Sequence, residues 1–392
     1  MALLTRKRAI LAKIESTYGQ DPTPTATLDA LLMSNLNVSP MEMTLAQRNN
    51  VKSYMGNNPN VLAAIYAKVS FDIEMAGSGT AGTAPAYDEL LRACGMSATT
   101  LAAPSTGSAT AGSATSMTLA AGASAVDGAY NGLTINLTGG GGAGQSAVIA
   151  SYVGATKTAT FTAPLATPAA AATAYTIPAQ VVYQPVSSNL ESVAFYCNVD
   201  SVKHLMLGAR GTVSMKASAQ GIPMWSFAFT GLYTTPSDSP IPAVTLTQYA
   251  APLAINNQNT SGLNVSGFTG AVMSDFSIDL AAAVTFRSLP GGTESVQLTD
   301  RQPTGSITIE ATPVSTGGAT VAKDWWTLMK NVVLGPFSVT HGTVAGNKVK
   351  IDAPQQQLTE PSYGDKDGIT MLTMKQTFVP LNGNDELTIC FM

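Results

Sequence analysis

The stretch Ser70–Gly95, SFDIEMAGSGTAGTAPAYDELLRACG, decides how the rest of the chain is read. It opens as an alternating strand, with Val69, Phe71 and Ile73 pointing one way and Asp72 and Glu74 the other. A Gly/Ser/Thr/Ala loop follows. Pro85 then starts a short helix, since proline suits a first helical turn whose N–H has no partner. Tyr87, Leu90, Leu91 and Cys94 fall at i, i+3, i+4 and i+7, which makes one apolar core face. Gly95 is a natural stop. Within the loop, Gly77–Gly82 matches the G-x-G-x-x-G of dinucleotide sites. Such a site needs the helix to begin at the glycines, where its N–H groups meet the pyrophosphate. Here the helix begins later, at Pro85. A buried parallel strand would not carry Asp72 and Glu74 on one face, and no acidic residue follows about 20 positions on to hold a ribose. The loop reads as a linker, and no cofactor is expected.

The pattern occurs a second time. Ser306-Ile307-Thr308-Ile309-Glu310 repeats Ser70-Phe71-Asp72-Ile73-Glu74, and a loop with Gly317 and Gly318 leads to KDWWTLMKNV. There Trp325, Leu328, Met329 and Val332 take the places of Tyr87, Leu90, Leu91 and Cys94, giving a second helix core face. Upstream, Ser34–Ser39 alternates as a strand and matches Ser274–Asp279. The offsets are 240 for this strand (274 minus 34), 236 for the next (306 minus 70) and 238 for the helix (325 minus 87), so the changes fall in loops, as a duplication predicts. Gly221–Met224 matches Gly368–Met371 at an offset of 147 (368 minus 221), which leaves 91 additional residues (238 minus 147) in the first copy. Each copy reads as a long antiparallel hairpin with a polar excursion: AQRNNVKSYMGNNPN in the first, SLPGGTESVQLTDRQPTG in the second.

Between Thr99 and Ala179 only Asp127 and Lys157 are charged. Strand-like runs at Leu133–Leu137, Ala147–Val153, Thr158–Thr162 and Ala174–Ile177, with a turn at Gly139–Gly142, describe a small inserted β-module. At this size it is expected to lean on its host. Its front, SATTLAAPSTGSATAGSATS, reads as a flexible tether. Residues 5–18, TRKRAILAKIESTY, read as a short amphipathic helix or an ordered arm. The first copy resumes with strands at Val181–Tyr183, Ser192–Asn198, Thr212–Lys216 and Trp225–Tyr233. The second continues with Gly335–Val339, Lys348–Ile351, Met371–Val379 and Glu386–Phe391. The bridge 234–262 has one candidate strand, Val244–Thr247.

The chain has 392 residues, enough for two or three domains. Hydrophobic residues make up 45%, so a core is available, but only 11% are charged, against about 25% in ordinary soluble proteins. A Thr/Ser-rich β-protein has such a composition, and so does a chain whose surface is covered in an assembly. A net charge of −4 and the lack of a basic stripe argue against tight nucleic-acid binding. Cys94, Cys197 and Cys390 are odd in number and widely spaced, which fits reduced thiols and intracellular synthesis rather than a disulfide framework. Lys13 and Glu15 interrupt the early apolar run, so neither a signal peptide nor membrane insertion is expected.

Candidate chemistry is sparse. His204 and His341 lie in no metal spacing, and neither a G-x-S-x-G nor a Walker A motif occurs. No catalytic, metal or cofactor residue is assigned, and the chain is not read as an enzyme. Trp326 falls off the helix's apolar face and is the candidate interface residue. The acidic strand residues Glu42, Asp72, Glu74, Asp279 and Glu310 share hairpin faces. They form either a solvated sheet face or the lining of a pore that repels phosphate.

At this point the chain resembles a siphophage tail tube (major tail) protein. The likeness lies in RKRAILAKIESTYGQDPTP, LLMSNLNVSP and FDIEMAGSGTAGTAPAYDELLRACG over the first ~95 residues. The module segment DGAYNGLTINLTGGGGAGQSAVIASYVGATKTATF resembles a β-module that recurs in phage structural proteins. The likeness is weak beyond about residue 180. It implies a mainly β fold: two tandem tail-tube-type β-sandwich or barrel domains, each with one flanking α-helix, plus the inserted β-module. The expected boundaries are 1–98 with 181–250 for the first domain, 99–180 for the module, on the tube exterior, 251–262 for a linker and 263–392 for the second domain. The implied function is structural, as rings that stack into the conduit for genome delivery in the virion tail, made and assembled in the host cytoplasm. Two domains per chain predict a homotrimeric, pseudo-hexameric ring. The implied partners are further copies of the chain, the tape measure, tail terminator and distal tail proteins, and double-stranded DNA in non-specific passage. A β-rich adhesin-like binding protein is the alternative, though it requires a secretion signal. A tube protein of a contractile or secretion-type system is another.

Overall fold

The computed structural model describes residues 3–392. The first half opens with β1 (Arg8–Ile14), β2 (Ser34–Ala46), β3 (Val61–Glu74), helix α1 (Asp88–Ala93) and β4 (Met96–Leu101). A run of short strands follows: β5 (Ser105–Ser108), β6 (Ala111–Gly112), β7 (Ser116–Thr118), β8 (Thr134–Gly139), β9 (Ser146–Val153), β10 (Thr158–Phe161) and β11 (Ala174–Ile177). Next come β12 (Gln180–Pro185), β13 (Val193–Val199), β14 (Val202–Ser218), β15 (Met224–Tyr233) and β16 (Ser237–Asp238). The second half has β17 (Thr260–Val265), β18 (Met273–Asp279), β19 (Ala282–Arg287), β20 (Ser295–Arg301), β21 (Thr304–Glu310), helix α2 (Trp325–Lys330), β22 (Gly335–His341), β23 (Val349–Lys366), β24 (Ile369–Val379) and β25 (Thr388–Phe391). With 48% of residues in strands and 3% in helices, the fold is mainly β.

The main sheet runs β2-β3-β15-β14-β18-β21-β24-β23-β25-β12-β4. One strand order occurs in it twice. In the first half, antiparallel pairing links β1, β13, β14, β15, β3 and β2. In the second half it links β17, β22, β23, β24, β21 and β18 in the same succession. Registers agree as well. Asn37 faces Ser70 as Ser277 faces Ser306, and Met224 faces Glu74 as Met371 faces Glu310. The offsets of 240, 236 and 147 found in the sequence are therefore offsets of hydrogen-bonded partners. The halves join edge to edge where β14 pairs with β18, from Ser214↔Asp279 to Ser218↔Asp275.

Alternation along these strands sends Phe71, Ile73, Trp225, Phe227, Phe276, Ile278, Ile307 and Ile309 into a single core. Both helices cap it. Tyr87 is buried, donates its hydroxyl to the Ala76 carbonyl (2.7 Å) and accepts from the Trp225 indole N–H (3.2 Å). Tyr87 and Tyr183 both pack edge-on against Phe391. Neighbouring residues on β12 then face opposite ways, Val181 and Tyr183 into the main core and Val182 into a second one. Strands β5–β11 form a separate seven-stranded sheet around that second core, which also takes Cys390. Gln180, fully buried, joins module to wall through paired hydrogen bonds with the backbone of Thr134. From one side to the other the layers are a polar sheet face, the main core, the β25–β12–β4 wall and the module.

Several expectations are corrected. Of the two alternatives for the N-terminal segment, the helix is overturned: residues 8–14 are an ordered arm in strand conformation. Ala9, Ile10, Leu11 and Ala12 are all buried between β13 and the segment at Ala30, and a strand covered on both faces shows no period. The proposed tether is ordered as β4–β7, its Thr and Ser residues supplying edge strands to the wall and the module. Val244–Thr247 forms no strand, and only the Thr245 N–H bonds back, to the Ala26 carbonyl. Strands β14 and β23 are far longer than the sequence reading gave, because bulges at Leu207/Arg210, where Gly208 takes a left-handed φ of 58°, and at Thr359/Ser362 break the alternation. The polar excursion of the second half supplies the turn and the returning strand of a further hairpin, β19–β20.

Val332 does not join the core face. Helix α2 ends at Asn331, and Val332 takes a left-handed φ of 53° and is 56% exposed. In α1 the left-handed residue is Gly95, one place beyond Cys94, so Cys94 stays on the buried face. A stop one residue earlier removes the fourth member. Trp325 and Leu328 are buried and Met329 is half-buried, as read.

Candidate functional site

The polar face of the main sheet collects the predicted acidic residues. Because the side-chain period is two, every residue opposite Asp72 or Glu74 across the ladders shares their face. One row reads Asp72, Ser226, Ser214, Asp279, Thr304 and Thr377 across β3, β15, β14, β18, β21 and β24. The next reads Glu74, Met224, Lys216, Ser277, Ser306 and Lys375. Asp72 and Asp279 belong to different halves and stand three strand spacings apart, about 14 Å. Glu310 closes β21 as Glu74 closes β3. Glu42 is on the same face but at a distance, in the distal hairpin opposite Tyr66.

Hydroxyls bridge neighbouring strands along the rows. Ser277 Oγ and Ser306 Oγ are 2.9 Å apart, and Thr308 Oγ1 and Thr373 Oγ1 are 3.0 Å apart. Asp72 accepts from the Asn35 side-chain amide (2.7 Å), and Asp279 accepts from the Ala281 N–H (2.8 Å). The sequence reading missed Asp275, Lys68, Lys216 and Lys375, which occupy the same face. Lys68 was legible, four residues before Asp72 on one strand and so of equal parity. Lys216 and Lys375 lie in the rows of Glu74, and Lys375 also pairs with Glu360 at 2.5 Å. The face is thus hydroxyl-rich with sparse charges of both signs. It offers phosphate no run of adjacent cations.

The interface candidate Trp326 is 41% exposed, and its ring lies 5.7 Å from that of Tyr363, itself 64% exposed. Trp325 is structural, as its indole N–H donates to Thr312 Oγ1 (3.0 Å) and Phe268 meets it edge-on. The glycine loop has a packing role. Gly77 N–H donates to the Asn347 side chain (2.8 Å) and Gly79 N–H to the Gly346 carbonyl (2.9 Å). A Cβ on Gly77 would lie 2.1 Å from that carbonyl oxygen. The amides that a pyrophosphate would use are spent holding the second half.

The remaining histidines and cysteines are buried or half-buried. His341 sits between Thr260 Oγ1 and the Leu253 carbonyl, 3.0 Å from each, and burial lowers its pKa. His204 is lowered by burial too. The three cysteines are buried, and desolvation raises each thiol, that of Cys197 to about 12. A cleft of about 620 Å³ lies between Leu190 and Arg301, but Arg301 is engaged by Glu386, Asn384 and the Val186 carbonyl. Among the described residues no group of His, Cys, Asp and Glu could hold a metal ion, and no helix is long and apolar enough to cross a membrane. No protein-family model and no curated protein matches this sequence.

Proposed function

We propose that this chain is a subunit of a phage tail tube, building stacked rings that form the conduit for a double-stranded DNA genome. One observation carries the reading: two units of the same strand order lie side by side in one continuous sheet with one shared polar face. A chain built this way supplies two adjacent segments of a curved wall, and three such chains make a ring with pseudo-sixfold symmetry. The polar face, with Asp72, Glu74, Asp279 and Glu310, lines the bore. Hydroxyls and scattered charges let phosphate pass without being held. The module is on the far side of the core, behind the β25–β12–β4 wall, and decorates the outside. Trp326 lies at a contact between subunits. The tube works in the virion tail, with tape measure, tail terminator and distal tail proteins as partners at its centre and ends, after assembly in the host cytoplasm. Negative-stain electron microscopy of purified protein tests this. Rings of three chains with six density lobes are expected. Six chains per ring would refute the trimer, and the absence of rings at any concentration would refute the tube.

A further inference from the structure

The junction inside the chain is copied, unfilled, at its two outer edges. On one edge of β14, the first half is covered by β13 and the second half, Ser214–Ser218, by β18. On the matching edge of β23, the first half is covered by β22, while Gln357–Lys366 pairs only with β24 on the other side. Strand β2, the counterpart of β18, ends the sheet and among the described residues has β3 as its only partner. Each outer edge therefore lacks the partner that its equivalent has within the chain.

We infer that the polar end of β23 takes β2 of a second copy of this chain as its next strand, in the register of the internal junction. Carrying each internal pair through the repeat fixes that register. Met215↔Ile278 becomes Tyr363 against the neighbour's Val38, and Lys216↔Ser277 becomes Gly364 against the neighbour's Asn37. Burial agrees with the missing partner. Met215 and Ile278 are both buried, whereas Tyr363 is 64% exposed and Val38 only half-buried.

A second observation points to the same occupant. Inside the chain, the β19–β20 hairpin lies against β14 and β15, with Phe286 stacked on Tyr66 at 5.1 Å. Apart from that contact at Tyr66, the equivalent distal part of β2–β3 leaves Met43, Leu45 and Leu62 about half exposed. A neighbour docked in the predicted register places it against β23 and β24. The contact is heterologous, one edge to a different edge, so it propagates around a ring or along a filament.

This inference deepens the ring reading and rests on it only for closure. Its test uses Asn37→Cys and Gly364→Cys in the full chain under mild oxidation, since the three native cysteines are buried. Each single variant alone is expected to give no covalent dimer. Their mixture should give dimers and nothing larger, and the double variant should give a closed covalent oligomer. A dimer from one single variant alone, or no cross-link from the mixture, overturns the junction. Tyr363→Lys supplies a check that does not depend on disulfide geometry. It is expected to keep the monomer's circular dichroism and melting curve while shifting sedimentation at least tenfold in concentration toward monomer, and an unchanged profile overturns the inference. Micrographs of the same samples separate the two readings. Rings without cross-links refute the junction alone, and cross-linked open strings refute the ring alone.

Discussion

In the first half of the molecule the hairpin β2–β3 runs on as one pair of strands, with three bulges, from Ser34 to Ala46 and back from Val61 to Glu74. In the second half the matching strands break at Leu280–Ala281 and at Gln302–Pro303, and the distal part becomes β19–β20, packed on the first half. The breaks have identifiable causes. Ala281 takes a left-handed φ of 48°, the Leu280 N–H donates to the Val213 carbonyl (3.0 Å), and Pro303 has no N–H to continue a ladder. Tyr18 and Arg210 then hold β20, the first by accepting from the Val296 N–H (2.6 Å) and the second by donating to the Val296 carbonyl (2.8 Å). One sequence pattern therefore gives two hairpins whose difference is set by what lies beneath them. The second is packed along β14 and β15; the first is met at Tyr66 by Phe286 and leaves Met43, Leu45 and Leu62 about half exposed.

The sharpest test of this comparison is at the fourth position of the two helix faces. Cys94→Asp buries a charge without a partner and is expected to cost more than about 4 kcal/mol. The equivalent Val332→Asp, on an exposed residue, should stay within about 0.5 kcal/mol. Urea unfolding of both variants measures the contrast, and equal losses would mean that the two helices end alike. Next in size, Arg301→Ala leaves Glu386 buried without its cation and should cost about 3–5 kcal/mol, read by the same method. Arg301 ends β20 at the break, so its loss should also raise hydrogen exchange in β19–β20 while leaving β2–β3 unchanged.

A smaller effect is expected where the halves touch through glycine. Gly77→Ala drives a Cβ into the Gly346 carbonyl and should destabilise by about 1–3 kcal/mol, whereas the same change at Gly122, where a Cβ meets nothing, should be near neutral. Melting curves of the pair would show whether the loop is a spacer or a contact. The smallest effect is pH-dependent. Burial pushes the Glu89 carboxyl up from 4.5 to about 7, partly offset by the Ile14 N–H that it accepts. The folded state therefore holds this proton more tightly than the unfolded chain. Stability from this group is complete below about 4.5, falls as pH rises to about 7 and levels off above it. Glu89→Gln should flatten that part of the stability curve, with a Tm about 1–2 °C above the wild type at pH 8.

How much was legible follows from where the information is held. Alternation at Phe71/Asp72/Ile73/Glu74 and at Ile307/Thr308/Ile309/Glu310 fixes face and register together, since a slip of one residue would turn Phe71 and Ile307 to water. The i, i+3, i+4 spacing of Tyr87, Leu90 and Leu91 fixes the helix face in the same way. Strand β1 was not legible because it is buried on both sides. The ends of β14 and β23 were not legible because bulges at Leu207/Arg210 and Thr359/Ser362 shift the register and break the period-two signal. On the polar face, Asp72 and Glu74 were found by parity, but Lys216 and Lys375 come from strands whose neighbours are set by long-range pairing.

By itself, then, the sequence determined the mainly β class, the repeated strand and helix patterns and the offsets between them, because local periodicity is written into consecutive residues. Only the tertiary structure decided that β14 meets β18, that β12 separates two cores, that Gly77 packs on Gly346, and that one hairpin folds back while the other stays free. Those outcomes depend on which edges and surfaces meet across stretches of chain from 57 residues (275 minus 218) to 269 (346 minus 77), and no run of neighbouring residues encodes that.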